Sequence, residues 1–305
     1  MLLLQGAKYK LGQLAFSREG NSLAVPVWKK GVQIWHPHYG ADAVTTVPDK
    51  FGAGEVGFTE SGRLLISGGH AYFLLHDPAT NTTKTITAES KPVNPASAGY
   101  AYYGGMCPDG RYLVAAQLAQ EGPGGWFFCR SLSAPDDNVW RQESKRAAVG
   151  TPMFLSGGQV VTFESNGEGD FCVLRDLGTG EIREEARGVV GRPLGPTASP
   201  DGSLWAVREG RNLSVYSAKE FGASVTYFRS PTKADFTGHA FHPSGQYLLV
   251  SSVDQSVKVY DTATWQVTRV YDWGVGKLFS VAVSPDGTLA AAGGDKGQIV
   301  LWDWE

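Results

Sequence analysis

Apolar residues recur at every second position through short runs of this chain. Val281, Val283, Leu289, Ala291, Ile299 and Leu301 alternate with smaller or polar neighbours. That is the spacing of half-buried strands, not the 3.6-residue period of a helix. Asp-Gly and Ser-Gly steps bound the runs and supply the turn chemistry. Two near-copies stand at the C-terminal end, HAFHPSGQYLLVSSVDQSVKVYD (239–261) and SVAVSPDGTLAAAGGDKGQIVLWD (280–303). Each reads as strand, Pro-containing turn ending in Gly, strand, Asp-containing turn, and a third strand ending in an aromatic residue and Asp.

The turn glycine carries this unit around the chain. It falls at Gly20, Gly62, Gly110, Gly158, Gly202, Gly245 and Gly287, with spacings of 42, 48, 48, 44, 43 and 42. Seven units of that period predict seven four-stranded propeller blades. Fourth strands are expected at 43–47, 84–87, 139–142, 181–185, 224–228 and 266–271, with 138–146 also readable as a helical turn. The seventh unit lacks a fourth strand, while Leu2–Gln5 has no unit of its own. Leu2–Gln5 is therefore expected to join the last blade and close the ring, removing exposed sheet edges. The fold class predicted is all-β: one seven-bladed β-propeller of four-stranded antiparallel blades over residues 1–305.

Trp302-Asp303, the Ser-Pro-Asp-Gly turns and the turn residues Asp254 and Asp295 resemble the WD-repeat family. The likeness is strong in units 5 to 7, good in units 1 and 2, and degenerate in units 3 and 4. In that family a Gly-His pair, a turn Asp, a Ser or Thr and the Trp form a hydrogen-bonded set in each blade. Here the set is incomplete: the aromatic stands at Trp35, Tyr216, Tyr260 and Trp302, and Gly238-His239 lies too close to its turn. Blade cohesion is expected to rest more on apolar packing than on polar networks.

Composition narrows the function. Gly is 39 of 305 residues, above the usual ~7%, as a chain of some 28 strands and their turns requires. No run of about 18 apolar residues predicts a membrane span, and the opening residues lack the pattern of a signal peptide. Cys107, Cys129 and Cys172 have neither metal-ligand nor redox-motif spacing. They read as buried apolar side chains in a cytoplasmic protein. The net charge is −3 with dispersed Lys and Arg, so nucleic acid is not expected as the main partner.

Candidate chemistry is sparse. Gly52, Gly54 and Gly57 match a dinucleotide fingerprint as a string, but a strand-turn-strand follows where a helix must. His36 and His38 lack the further ligands a metal needs, and His242 stands in the Ser position of its turn. No cofactor and no metal site is expected. The first strand of each unit carries no carboxylate except Glu55, just before VGF. An axial-mouth hydrolase or lactonase, the alternative reading, needs convergent acids or a metal cage. What the family resemblance implies is a binding rim formed by the segments leading into first strands and by the second turns. Tyr102, Trp273 and Phe279 fall in or beside the lead-in segments. Lys29, Trp126, Arg208, Asp254 and Lys296 fall in or near the second turns, with Lys30 and Arg211. Aromatic residues and Arg dominate binding hot spots. The expectation is a non-catalytic scaffold that binds a peptide or protein segment, anchored by Phe279, Tyr102 and Trp126, as a possible subunit of a larger assembly.

Overall fold

The computed structural model describes residues 1–5, 9–36, 44–48, 53–68, 73–86, 102–118, 124–188 and 193–304, the side chains of Gln5, Ala53, Gly68, Tyr102 and Leu118 excepted. His38, Gly52 and residues 119–123 lie outside the described residues. The chain forms seven antiparallel sheets, the blades of a β-propeller. Blade 1 holds Ala15–Phe16, Leu23–Val27, Gly31–Trp35 and Val44–Val47. Blade 2 holds Ala53–Phe58, Leu64–Gly68, Phe73–Asp77 and Thr82–Ile86. Blade 3 holds Tyr102–Met106, Tyr112–Leu118, Gly125–Ser131 and Asn138–Ser144. The ambiguous segment at 138–146 is thus mostly strand.

Blade 4 departs from the rule. Its first strand is split into Ala147–Ala148 and Met153–Leu155, both paired to Gln159–Asn166, with Gly169–Asp176 and Ile182–Arg187 following. Gly150 and Pro152 fall in the break, where a ladder is easily interrupted. Blade 5 holds Leu194–Ala198, Leu204–Glu209, Asn212–Ser217 and Ser224–Arg229. Blade 6 holds Phe236–Phe241, Tyr247–Ser252, Ser256–Asp261 and Val267–Asp272. Blade 7 holds Leu278–Val283, Leu289–Gly294 and Gln298–Asp303. Leu2–Gln5 completes it, pairing Leu2 with Leu301 and Gln5 with Gln298.

By compactness the chain divides into two units. One is Met1–Phe58, Arg208–Ser214 and Thr226–Glu305; the other is Thr59–Val207 and Val215–Val225. In the first, alternation sends a blade's side chains into two separate cores. Ala282, Ala291, Ile299 and Leu301 of blade 7 pack with Leu23, Val25 and Trp35 of blade 1. Val281, Ala290, Ala292, Val300 and Trp302 pack with Leu249, Val257 and Val259 of blade 6. The half-buried reading of these strands is corrected here: middle strands are covered on both faces, and Leu23–Val27 is buried at every position. Outer strands such as Val267–Asp272 keep an exposed face. In the second unit Trp205 is wholly buried and stacks on Tyr216 at 4.4 Å, with Phe163 and Phe221 around it.

The repeated turns explain two sequence singularities. In blades 1, 5 and 7 a serine hydroxyl accepts the backbone N–H five residues on: Ser17 from Ser22 (3.1 Å), Ser199 from Leu204 (2.9 Å) and Ser284 from Leu289 (2.9 Å). In blade 3 the Cys107 thiol does the same, accepting from Tyr112 N at 2.9 Å and donating to Asp109 at 2.7 Å. Cys107 therefore does a polar job in a turn, more than the apolar filling expected of it. In blade 6 His242 takes the position. Its Nε2 donates to the Gly287 carbonyl at 3.1 Å, leaving Nδ1 to accept from Ser244 N at 3.1 Å. Gly287 has φ +74, and a Cβ there would stand 2.9 Å from the imidazole.

Polar cohesion is stronger than the sequence implies, and it lies where the repeat is most degenerate. Arg175 donates to Glu164 (2.7 Å), Thr162 (3.1 Å) and Gln142 (2.9 Å), while Thr162 and Ser144 also donate to Glu164. Gln142 and Ser144 come from blade 3, so this buried set ties blade 3 to blade 4. By contrast Trp35 and Trp302 keep buried indole N–H groups without a partner among the described residues. Their neighbouring second strands, LAVPV and LAAAGG, carry no hydroxyl to receive them.

Candidate functional site

The segment leading into blade 1 lies between the second turns of blades 1 and 7. Trp28 N donates to Lys10 O at 3.0 Å and Gly12 N donates to Pro26 O at 2.8 Å. On its other side Leu11 N donates to Gly294 O at 3.3 Å and Leu14 N to Ser280 Oγ at 2.9 Å. Beyond Gly294, Asp295 N donates to Lys277 O at 3.0 Å. This run of contacts brings Lys10, the Trp28–Lys30 turn, Lys277 and the Asp295–Lys296 turn to one end of two adjacent blades.

Aromatic residues stand among these lysines. Lys10 Nζ lies 4.3 Å from the centre of the Phe279 ring, and Lys30 Nζ 5.2 Å from that of Tyr9. Such contacts hold an ammonium over a ring while leaving its outer side to solvent. Trp28 is 51% exposed and Tyr9 39%, large apolar surfaces left open beside fixed cations. Lys29 adopts φ +61 in its turn and is exposed, as are Lys277 and Lys296.

Of the residues singled out from sequence, Lys29, Lys30, Phe279 and Lys296 come together here. Trp273 is close in sequence but is engaged in packing: its ring stacks on Tyr271 at 5.4 Å and meets Trp302 at 4.7 Å. Asp254 sits in the second turn of blade 6, with its carboxylate taken by Ser256 (2.6 Å), Thr232 (2.8 Å) and Lys258 (2.9 Å). Burial alone would raise its pKa. The hydrogen bonds from Ser256, Lys258 and Thr232 outweigh that and hold it well below the usual carboxylate range. In the other unit, Tyr102 pairs with Gln117, Gln117 with Trp126 and Trp126 with Glu143, one row across the end of blade 3. The Trp126 ring is covered by the Arg141 guanidinium at 4.2 Å. The sequence reading missed Tyr9, Lys10, Trp28 and Lys277. The signal it passed over was Tyr9-Lys10 placed just before the buried Leu11.

Arg208, one residue before the end of the second strand of blade 5, donates to the Phe236 carbonyl at 3.5 Å. Its Nε is buried without a partner among the described residues, and burial lowers its pKa. Glu55, on the first strand of blade 2, is its electrostatic counterpart. Burial raises the Glu55 carboxyl to about 6, and Arg208 works against that rise. Among the described residues no group of three or more His, Cys, Asp or Glu side chains is arranged to hold a metal ion. His36 instead bonds Ser22 Oγ through Nδ1 at 2.9 Å.

With seven four-stranded blades, serine-Asp turns and a lead-in segment wedged between second turns, the architecture defines a class. The chain is a seven-bladed β-propeller, and the WD40 model (WD domain, G-beta repeat) matches it at residues 222–261 and 268–303, from the outer strand of blade 5 through blade 7. Among curated proteins it is similar to the serine-threonine kinase receptor-associated protein of Homo sapiens, 27% identical over 34% of this chain and 29% of that protein. It is also similar to the U3 small nucleolar RNA-associated protein 15 homolog of Xenopus tropicalis, 31% identical over 31% of this chain and 18% of that protein. The small ribosomal subunit protein RACK1y of Oryza sativa subsp. japonica is 37% identical over 20% of this chain and 18% of its own. The chain spans less than a third of the length of each of these relatives.

Proposed function

We propose that this protein is a non-catalytic interaction scaffold that binds a protein segment at the lead-in end of blades 7 and 1, as one subunit of a larger assembly. The observation that carries this reading is that Tyr9 and Trp28 stand exposed on a sheet framework, Tyr9 under the Lys30 ammonium and Trp28 bonded through its backbone to Lys10, whose own ammonium lies over Phe279. Loops on such a framework vary without disturbing the core, and aromatic residues at their tips supply most of the binding energy in protein interfaces. The names of the relatives, receptor-associated, RNA-associated and ribosomal, support a role within assemblies. The free buried thiols support a reducing compartment such as the cytoplasm.

The test places a photo-crosslinking amino acid at position 28, and in a control at Asn21 on the opposite end of blade 1. In cells of the source organism, discrete protein adducts are expected from position 28 and not from position 21. Equal adducts from both positions, or none from position 28, overturn the reading.

A further inference from the structure

We infer that the segment bound at the lead-in end of blades 7 and 1 is acidic, with apolar side chains between its carboxylates. This rests on the scaffold reading above and adds the chemistry of the partner. Five lysines converge there: Lys10, Lys29, Lys30, Lys277 and Lys296. Lys10 and Lys30 are held over rings and Lys277 and Lys296 flank one turn, the Lys296 side chain passing 3.3 Å from where a Cβ on Gly276 would stand. Among the described residues none of the five is paired with a carboxylate, although Lys258 and Lys84 are.

The acid in the turn that Lys277 and Lys296 flank is Asp295, whose Oδ1 is buried and stands 2.7 Å from the Gly276 Cβ position rather than outward. The whole chain carries 27 basic and 30 acidic side chains, so this end reverses the sign of the molecule. An unpaired cluster of like charge on a chain of opposite net charge attracts a partner of opposite sign and sets its register. Trp28 and Tyr9 add open apolar faces, which a purely ionic ligand would leave unused. A lysine ammonium is a compact point charge that pairs with a carboxylate. The described part of this end holds no arginine, the residue whose planar fork dominates nucleic-acid recognition.

The probe is a fluorescein-labelled peptide of alternating Glu and Leu, titrated with the whole protein by fluorescence anisotropy. A Gln-Leu peptide and a labelled oligo(U) RNA run beside it. The acidic peptide is expected to bind, to weaken as salt rises through the screening range, and to lose about tenfold or more in affinity in the Lys10→Glu/Lys29→Glu/Lys296→Glu variant. Trp28→Ala is expected to weaken it without changing its salt dependence. Circular dichroism and the unfolding midpoint establish that both variants are folded. Tighter binding of oligo(U), or acidic-peptide binding unmoved by the charge reversal, overturns the inference. If the Gln-Leu peptide binds equally well and adducts still form at position 28, the acidic partner is excluded while the scaffold reading stands.

Discussion

Arg175 Nη2 lies 2.7 Å from Glu164 Oε1, with the two side chains only 3% and 2% exposed. A buried pair of this kind gains little over apolar residues of the same shape, because both ions have left water. Breaking it by one partner is another matter, since the survivor stays buried and uncompensated. Arg175→Met alone and Glu164→Leu alone are each expected to cost about 3–5 kcal/mol, the double substitution less than the sum of the two. Urea unfolding of the three variants measures this. Single variants within about 1 kcal/mol of the parent would show that apolar packing, and not this polar set, holds the two blades together.

That network also shows how far the sequence could be read. The ring of seven, the turn glycines and the joining of Leu2–Gln5 to blade 7 follow from patterns confined to a few residues, which a sequence displays directly. Glu164 and Arg175 sit in the unit that looked decayed. Their meaning depends on cross-strand register and on Gln142 from the preceding blade, neither of which a repeat alignment contains. The site divides in the same way. Lys29 and Lys296 occupy second turns and Phe279 the start of a first strand, positions that the period identifies. Lys10 matters because it touches Phe279 from the opposite end of the chain, a contact made only when the lead-in segment is laid beside blade 7. The sequence likewise suggested Trp273 and Asp254 by residue type, without showing that other rings and donors already engage them.

Asp254 sets a pH dependence. Its folded carboxyl titrates below the unfolded value of about 4, so the stabilisation it gives is complete above that pH and fades as pH falls further. Asp254→Asn leaves Lys258, which is only 10% exposed in its side chain, without its counter-charge. A loss of about 2–3 kcal/mol at pH 7 is expected. The gap between parent and variant should narrow at pH 3, because Asp254 of the unfolded chain is then largely protonated while the folded carboxyl is still charged. Chemical unfolding at both pH values measures it; an unchanged gap would mean that the hydrogen-bond geometry matters and the charge does not.

Cys107 gives the narrowest prediction. Its thiol stands where blades 1, 5 and 7 place a serine, accepting Tyr112 N and donating to Asp109. If position rather than thiol chemistry is what the turn needs, Cys107→Ser should unfold within about 1 kcal/mol of the parent. Cys107→Ala strands the Tyr112 N–H and should cost about 1–3 kcal/mol. Burial first, and then the hydrogen bond to Asp109, push the Cys107 thiol up to about 12, and burial does the same to Cys129 and Cys172. All three are therefore thiols, not thiolates, at neutral pH and are weak nucleophiles. A disulfide reagent should label none of them rapidly in the folded protein and all three after denaturation. Fast labelling of folded parent that disappears in Cys107→Ser would instead mark Cys107 as a reactive group, and its likeness to the turn serines would be incidental.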